Sequence, residues 1–261
     1  NRVAAVSDRD LPYEFVVLNN SVPNAWALPG GKIAINRGLL HQMQSESELA
    51  AVLGHEVVHA AARHSAQQMQ RGMLLQVLVL GTAVVTSDSD YGQLATGAAN
   101  VGAQLLSQSY GRRAELESDL YGMRYMHAAG DDPEGAVDLQ ETFLRLAQER
   151  GRTGAEFDLF ASHPPTQQRL ATNRITAAEL TAGQSGGMIG RDEFARAMVV
   201  LRETKPAFDA YDEGRKALAA KDFSAARRFA NKAIRLEPRE ASFYALLGDA
   251  EFLQEDYADA Q

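Results

Sequence analysis

The chain has 261 residues, a net charge of −8 and 45% hydrophobic residues. This length accommodates one mid-sized domain plus a small one, and the hydrophobic share permits a packed core. The acidic balance and the lack of a basic run argue against binding to nucleic acid or to anionic lipid. The sequence contains no cysteine, which excludes disulfides and thiol catalysis and suits an oxidising compartment such as a bacterial periplasm.

Two short segments near the N-terminus predict β-strands. Residues 14–18 and 32–36 are rich in β-branched side chains, and turn signals follow the first and precede the second. We therefore expect a small sheet ahead of the helices. The chain starts with Asn1 rather than Met and shows no signal peptide, which we interpret as a processed or trimmed protein.

The most informative pattern is a His-Glu-Val-Val-His sequence that starts at His55. On a helix, His55 and His59 lie on one face, where both can bind one metal ion, and Glu56 can hold the proton of a nearby water. A capping box of Ser45 and Glu48 predicts the start of this helix. Its apolar sequence predicts burial on most sides, so its polar side chains must be paired or bound to metal.

A metal site of this kind needs a third ligand from elsewhere. His64 follows His55 by nine residues, which places it about 180° round a continuous helix and excludes it. The segment 112–122 instead offers Glu115, with Asp119 four residues later on the same face. An ordinary acidic helix face is the alternative interpretation, and the spacing alone leaves both open.

Residues 72–106 contain an apolar run followed by a weakly apolar stretch that is rich in Ala and Gly. Neither half reaches the roughly 18 apolar residues that a membrane span needs, so we expect no transmembrane segment. We expect a helical hairpin that packs on or covers the active site. Insertion into a membrane surface is the alternative, which leaves a peripheral membrane contact open.

The last part of the chain shows a period of 34 residues. Gly214 recurs as Gly248, and Ala226 recurs as Ala260. This period predicts tetratricopeptide repeats, which are helix pairs that bind proteins or act as spacers. Since at least three units usually stack, and the chain stops inside the second, we expect a fragment or docking of the last helices on the first domain.

Four motifs give the chain a resemblance to a known family. In order, they are Asn-Ala-Trp-Ala-Leu-Pro-Gly-Gly from Asn24, the His55 helix, the Glu115 helix, and Ser-His-Pro-Pro-Thr-Gln-Gln-Arg from Ser162. The chain resembles the HtpX and CAAX prenyl protease superfamily of zinc metallopeptidases, and most of all its BepA-type members with a tetratricopeptide (TPR) tail. The match covers nearly the whole chain, with Ser118 as a minor departure where the family often has Ala.

The resemblance implies an α+β, mainly α fold. A Gly-rich stretch at 181–187 predicts the domain boundary. Residues 1–187 are then expected to form a gluzincin-like metallopeptidase domain with a small sheet. Residues 188–261 are expected to form all-α TPR-type helical repeats, the last of them incomplete.

In the family pattern the chain would bind one Zn²⁺. The resemblance implies that His55, His59 and Glu115 are its ligands and that Asp119 supports a ligand histidine. Glu56 is then the general base, which takes the proton of a water at the open position and returns it to the leaving amine.

Two further residues follow the last motif. The resemblance makes His163 a candidate donor to the oxyanion of the tetrahedral intermediate. Alternatively, His163 reaches the zinc, closes the open position and makes the enzyme latent, and the sequence leaves this choice open. Arg169 is expected to pair with Glu115 or Asp119, with a plain surface arginine as the alternative.

In resembling proteases an edge strand pairs with the backbone of an extended substrate, which gives affinity with little side-chain specificity. The expected substrate-binding residues are those of the first motif: Ala25, Trp26, Ala27 and Leu28.

Together these patterns predict a zinc-dependent endopeptidase that hydrolyses unfolded or misassembled envelope proteins, is soluble or peripheral in the periplasm, and binds a protein partner through its repeats. The first alternative is a zinc-stabilised periplasmic chaperone or assembly scaffold with a latent site. Glu56 favours the enzyme, because a scaffold has no need of a general base. A metallohydrolase of small molecules is a second alternative, which the predicted edge strand and tail disfavour.

Overall fold

A computed structural model describes residues 2–70, 110–153, 158–183 and 186–259. The chain divides into two compact units, Asn1–Phe194 and Ala195–Gln261. The hairpin expected at 72–106 lies outside the described residues.

The first unit begins with a helix and a three-stranded sheet, with the bounds α1 Arg2–Ala5, β1 Glu14–Leu18, β2 Ala25–Leu28 and β3 Lys32–Asn36. β1 is parallel to β3, and β2 is antiparallel to β3, so the order is β1-β3-β2 and β2 is an edge strand. Gly30 and Gly31 join β2 to β3 with φ of 91° and 88°, a conformation that glycine adopts without strain. The strands predicted at 14–18 and 32–36 are confirmed.

The other described residues of this unit are mostly helical, as the mainly α prediction requires. The described helices are α2 Arg37–Leu40, α3 Glu46–Ala61, α4 Arg112–Ala128, α5 Glu134–Thr153, α6 Asp158–Ser162, α7 Gln167–Leu180 and α8 Arg191–Ala197, which crosses the unit boundary. Among the helices of the described residues, none combines the length and apolar character needed to cross a membrane.

The start of α3 is fixed by its predicted cap. The Ser45 hydroxyl oxygen accepts a hydrogen bond from the Glu48 N–H at 3.1 Å. The Glu48 carboxylate accepts from the N–H of Gln44 at 3.0 Å, one residue earlier than a capping box requires. Most side chains of α3 are buried, so its histidines lie inside the unit, as its apolar sequence predicts.

Helices α3 and α4 cross with their backbones in contact. A Cβ on Gly54 would lie 2.7 Å from the carbonyl oxygen of Gly122, and a Cβ on Gly122 would lie 2.8 Å from the amide nitrogen of His55. Neither position has room for a side chain. The crossing therefore presses the face of α4 that carries Glu115 and Asp119 against the middle of α3.

The end of α3 differs from the prediction of a continuous helix. The helix ends at Ala61, Arg63 has a φ of 60°, and residues 64–70 are helical again. A left-handed residue turns the chain, because it cannot continue a right-handed helix. The predicted position of His64 on the far side of α3 is therefore wrong.

The second unit consists of helices packed in sequence, the described ones being α9 Val199–Ala219, α10 Phe223–Leu236 and α11 Ala241–Asp259. α10 packs against both α9 and α11. Phe208 and Phe243 meet edge to face at 5.1 Å between ring centroids, inside a core of small alanines. A Cβ on Gly214 would lie 2.7 Å from a methyl carbon of Leu246, so glycine permits this close packing.

We expect Gly122→Ala to lower the free energy of unfolding of the first unit by about 1–3 kcal/mol, because the added methyl group collides with the backbone of α3. Urea unfolding of the metal-free protein measures this. The matched control is Gly248→Ala in α11, where a Cβ meets nothing within 4 Å, and which should be neutral or stabilising by up to about 1 kcal/mol. Equal unfolding midpoints for the two variants would contradict the close backbone contact between α3 and α4.

Candidate metal centre

Four buried side chains bring possible metal ligands together. His55 and His59 come from α3, Glu115 comes from the first turn of α4, and His163 follows α6. One ligand atom from each lies within 4.8 Å of all the others. The structure thus brings the three ligands expected from the sequence together, and it adds His163 to the same cluster.

The distances between these atoms fit a tetrahedral zinc ion. The His55 Nε2 lies 3.0 Å from the His59 Nε2 and 3.2 Å from the His163 Nδ1. The Glu115 Oε1 lies 3.0 Å from the His163 Nδ1 and 3.4 Å from the His59 Nε2. Two ligands at about 2.0–2.1 Å from a tetrahedral zinc are roughly 3.3 Å apart. These donors therefore have the spacing and the chemistry that zinc requires.

The electrostatics of the cluster favour a bound cation. Burial lowers the pKa of His55, but the carboxylates of Glu115 and Asp119 outweigh burial and raise it to about 10. Burial lowers the pKa of His59 well below its usual value. Burial also raises the pKa of Glu115, yet His163 and His55 hold that pKa far below its usual range. The carboxylates thus stabilise a positive charge at the place where a divalent metal supplies one.

A second layer of contacts holds two of the ligands. The Nδ1 of His55 lies 2.9 Å from Asp119 Oδ1, a contact that keeps the Nε2 directed at the other donors. Arg169 donates to both Asp119 oxygens at 2.7 Å and lies 2.8 Å from Glu115 Oε2. The Thr166 hydroxyl oxygen caps α7 by accepting from the Arg169 N–H at 3.1 Å, so α7 begins just after the two prolines.

Glu56 lies beside the cluster. Its Oε1 is 3.6 Å from the His163 Nε2, and both side chains are buried. Burial raises the pKa of Glu56, which makes its carboxylate a stronger base. Among the described residues, neither Glu56 Oε2 nor His163 Nε2 has a hydrogen-bond partner. Buried polar atoms without a partner are rare in proteins, and both of these atoms remain available to a bound reactant.

Sequence reasoning missed two neighbours of His59. His64 does not belong to the four-donor cluster, but its Nδ1 lies 3.1 Å from the His59 Nδ1. The Tyr110 ring lies 4.1 Å from the His59 ring between centroids, and its hydroxyl is 2.7 Å from the Ser65 Oγ. The turn at Arg63 brings His64 back, and no local residue pattern signals that turn.

The outer edge of β2 is covered. The N–H of Asn36 donates to the carbonyl of Asn24 at 2.8 Å, so the alternate residues Ala25 and Ala27 turn their main-chain groups away from β3. The Ser65 hydroxyl donates to the Ala27 carbonyl at 3.1 Å. Ala25 is 0% exposed and Ala27 is 3% exposed, so a substrate backbone has no access to them in this arrangement.

Helix α6 contacts the segment that leads into β2. The Leu159 N–H donates to the Pro23 carbonyl at 3.4 Å, just before β2, and the His163 N–H donates to the Leu159 carbonyl at 2.7 Å. The same short segment therefore contacts the start of β2 and carries His163 into the donor cluster. Of the other two predicted substrate residues, Trp26 is half-buried and Leu28 is exposed.

The edge strand, the paired histidines with their intervening glutamate, and the glutamate from a second helix define a metalloprotease domain. The chain belongs to Peptidase family M48, whose model matches residues 1–176. It is 35% identical to the mitochondrial metalloendopeptidase OMA1 of Schizosaccharomyces pombe, over 65% of this chain and 48% of that protein.

Two bacterial relatives match as well. The chain is 27% identical to the beta-barrel assembly-enhancing protease of Yersinia pestis, over 99% of this chain and 57% of that protein. It is 32% identical to the metalloprotease YcaL of Escherichia coli (strain K12), over 60% of this chain and 59% of that protein. The chain thus spans about half the length of the curated relatives it matches.

We expect Arg169→Met to lower the free energy of unfolding of the metal-free protein by about 3–5 kcal/mol, because it leaves two buried carboxylates without their cation. Added zinc should reduce this loss, since the metal compensates Glu115. Thermal unfolding with and without zinc measures both effects.

The control for this prediction is Arg174→Met on the same helix. Arg174 pairs with Glu141 at the surface, where such a pair contributes about 0–1 kcal/mol. A loss in Arg169→Met no larger than that in Arg174→Met would contradict the role of Arg169.

Proposed function

We propose that this chain is a zinc-dependent endopeptidase that hydrolyses peptide bonds of unfolded or misassembled proteins of the bacterial cell envelope. The observation that carries the proposal is the convergence of three imidazole nitrogens and one carboxylate oxygen beside the carboxylate of Glu56. Membership of a peptidase family supports the reaction type. The name of the Yersinia pestis relative, a beta-barrel assembly-enhancing protease, supports envelope proteins as substrates.

In this mechanism His55, His59 and Glu115 hold one zinc ion per chain. When bound, the metal supplies a Lewis acid that activates a water and polarises the scissile carbonyl. Glu56 takes the proton of the attacking water and returns it to the leaving amine. Asp119 orients His55 through the 2.9 Å contact to its Nδ1. Arg169 helps to hold the pKa of Asp119 below its usual value and pairs with Glu115.

The arrangement of His163 favours a closed resting state. Its Nδ1 points into the donor cluster, 3.0 Å from Glu115 and 3.2 Å from His55. The α6 segment that carries it also contacts the start of β2. In this resting state the Nδ1 of His163 would act as a further donor to the metal. Displacement of His163 would free the position that an attacking water needs, and the Ser65 contact to Ala27 would also have to open before a substrate backbone reached the edge strand.

The second unit supplies the proposed binding of protein partners. A Cβ on Gly214 would lie 2.7 Å from Leu246, so this glycine permits close packing of the helices. Its recurrence 34 residues later, as Gly248, favours TPR-type repeats. A periplasmic location is part of the proposal and is supported by the lack of cysteine. A zinc-stabilised assembly scaffold with a latent site is the second candidate, and the buried His163 contact is the observation that favours it.

Replacement of Glu56 tests the enzyme. We expect Glu56→Gln to lower kcat/KM for an unfolded protein such as casein by about a hundred- to ten-thousandfold, because the general base is lost. Zinc content should be equal in both proteins and checked by elemental analysis. A chelator should abolish cleavage by the parent, and zinc should restore it. Retention of activity in Glu56→Gln would contradict the mechanism, and Glu141→Gln on α5 serves as the exposed control.

Replacement of His163 tests the closed state. We expect His163→Ala to bind zinc more weakly, because one donor is lost, and to cleave casein faster per bound zinc than the parent does. The control is His127→Ala, which removes a half-buried histidine at the end of α4. A slower variant would assign His163 to catalysis alone, and inactivity of both parent and variant with zinc bound would favour the scaffold.

A further inference from the structure

His64 is a buried histidine that the proposed mechanism does not use. We propose that His64 is a positioning residue that accepts a hydrogen bond from the Nδ1–H of His59 and so holds the Nε2 of His59 on the metal. The inference rests on the proposed zinc site. It assigns a role to a residue that donates nothing to the metal itself.

The tautomers follow from the geometry. The Nε2 of His59 faces the donor cluster, 3.0 Å from the Nε2 of His55. A neutral imidazole that gives its Nε2 lone pair to a metal carries its hydrogen on Nδ1. The Nδ1 of His59 lies 3.1 Å from the Nδ1 of His64, so the second atom must be the acceptor. The hydrogen of His64 is then on its Nε2.

The surroundings of His64 agree with this assignment. Its Nε2, the expected N–H, is directed towards Glu117, whose Oε2 lies 3.9 Å away. The Ser118 hydroxyl lies 3.5 Å from the accepting Nδ1 and can donate weakly to it. Both neighbours belong to α4, so the helix that supplies Glu115 also holds the ring behind His59.

The two ligand histidines of α3 are thus supported in different ways. His55 has a carboxylate, Asp119, at its Nδ1, whereas His59 has a neutral imidazole there. A hydrogen-bond partner at the distal nitrogen fixes the ring orientation of a metal-bound histidine and makes it a better ligand. An imidazole meets this need without adding a further buried carboxylate to Glu56, Glu115 and Asp119.

The chain geometry explains how this contact arises. In a continuous helix His64 would point away from His55, but α3 ends at Ala61 and Arg63 adopts a φ of 60°. The turn returns the chain towards α4 and leaves His64 buried with its ring at 76° to the His59 ring. A strained left-handed arginine is maintained only where the surrounding structure stabilises it.

Isosteric replacements at one position separate a positioning role from simple packing. The Oδ1 of an asparagine falls where the Nδ1 of His64 lies, whereas the Oε1 of a glutamine falls near its Nε2. We therefore compare His64→Asn, His64→Gln and His64→Leu with the parent, and use His127→Leu as the control. The measured quantities are the zinc dissociation constant, from competition with a chromophoric chelator, and the urea midpoint of each metal-free protein.

We expect His64→Leu and His64→Gln to weaken zinc binding about 10- to 100-fold. His64→Asn should bind zinc about as tightly as the parent does. This expectation does not depend on how the three substitutions change the urea midpoint of the metal-free protein. Equal weakening in all three variants would assign His64 to packing and overturn the inference, as would unchanged affinity in His64→Leu. Tight zinc binding without casein cleavage by the parent would overturn the proposed function alone, and a parent that binds no zinc would overturn both.

Discussion

The burial of two carboxylates beside a group of imidazoles is the constraint on which the first unit depends. Glu115 and Asp119 lie one helical turn apart on α4, and a buried negative charge is costly unless a cation compensates it. Arg169 provides compensation from one side. The histidine cluster provides it from the other side, by a proton or by a metal. The centre is therefore a charge-balanced unit in which every member depends on the others.

The crossing of α3 and α4 sets the distances between the members of this charge-balanced centre. Gly54 and Gly122 let two backbones meet, which fixes the distance between the α3 donors and the α4 donor. His163, by contrast, is carried by a short segment that contacts Pro23, just before β2. The centre thus combines donors on packed helices with one donor that follows a short helix next to the segment leading into β2.

Much of this arrangement was predictable from the sequence. The spacing of His55 and His59, the cap at Ser45, and the β-branched runs of β1 and β3 each carry a local physical signal. The cover over β2 and the return of His64 carry no such signal. The first depends on hydrogen bonds between residues far apart in the chain. The second depends on one left-handed residue, Arg63, which periodicity treats as part of a continuous helix.

The burial of the four donors also affects how fast a bound metal ion could exchange with solvent. All four side chains are buried, so no ion can exchange with solvent until part of the structure opens. The turn that carries His163 is the shortest element to displace, whereas the crossing of α3 and α4 must stay packed. The residence time of a metal held there would then depend on the frequency of such local opening as well as on the strength of the ligand bonds. Such a centre would keep a bound ion through dilution for as long as the segment that carries His163 remained in place.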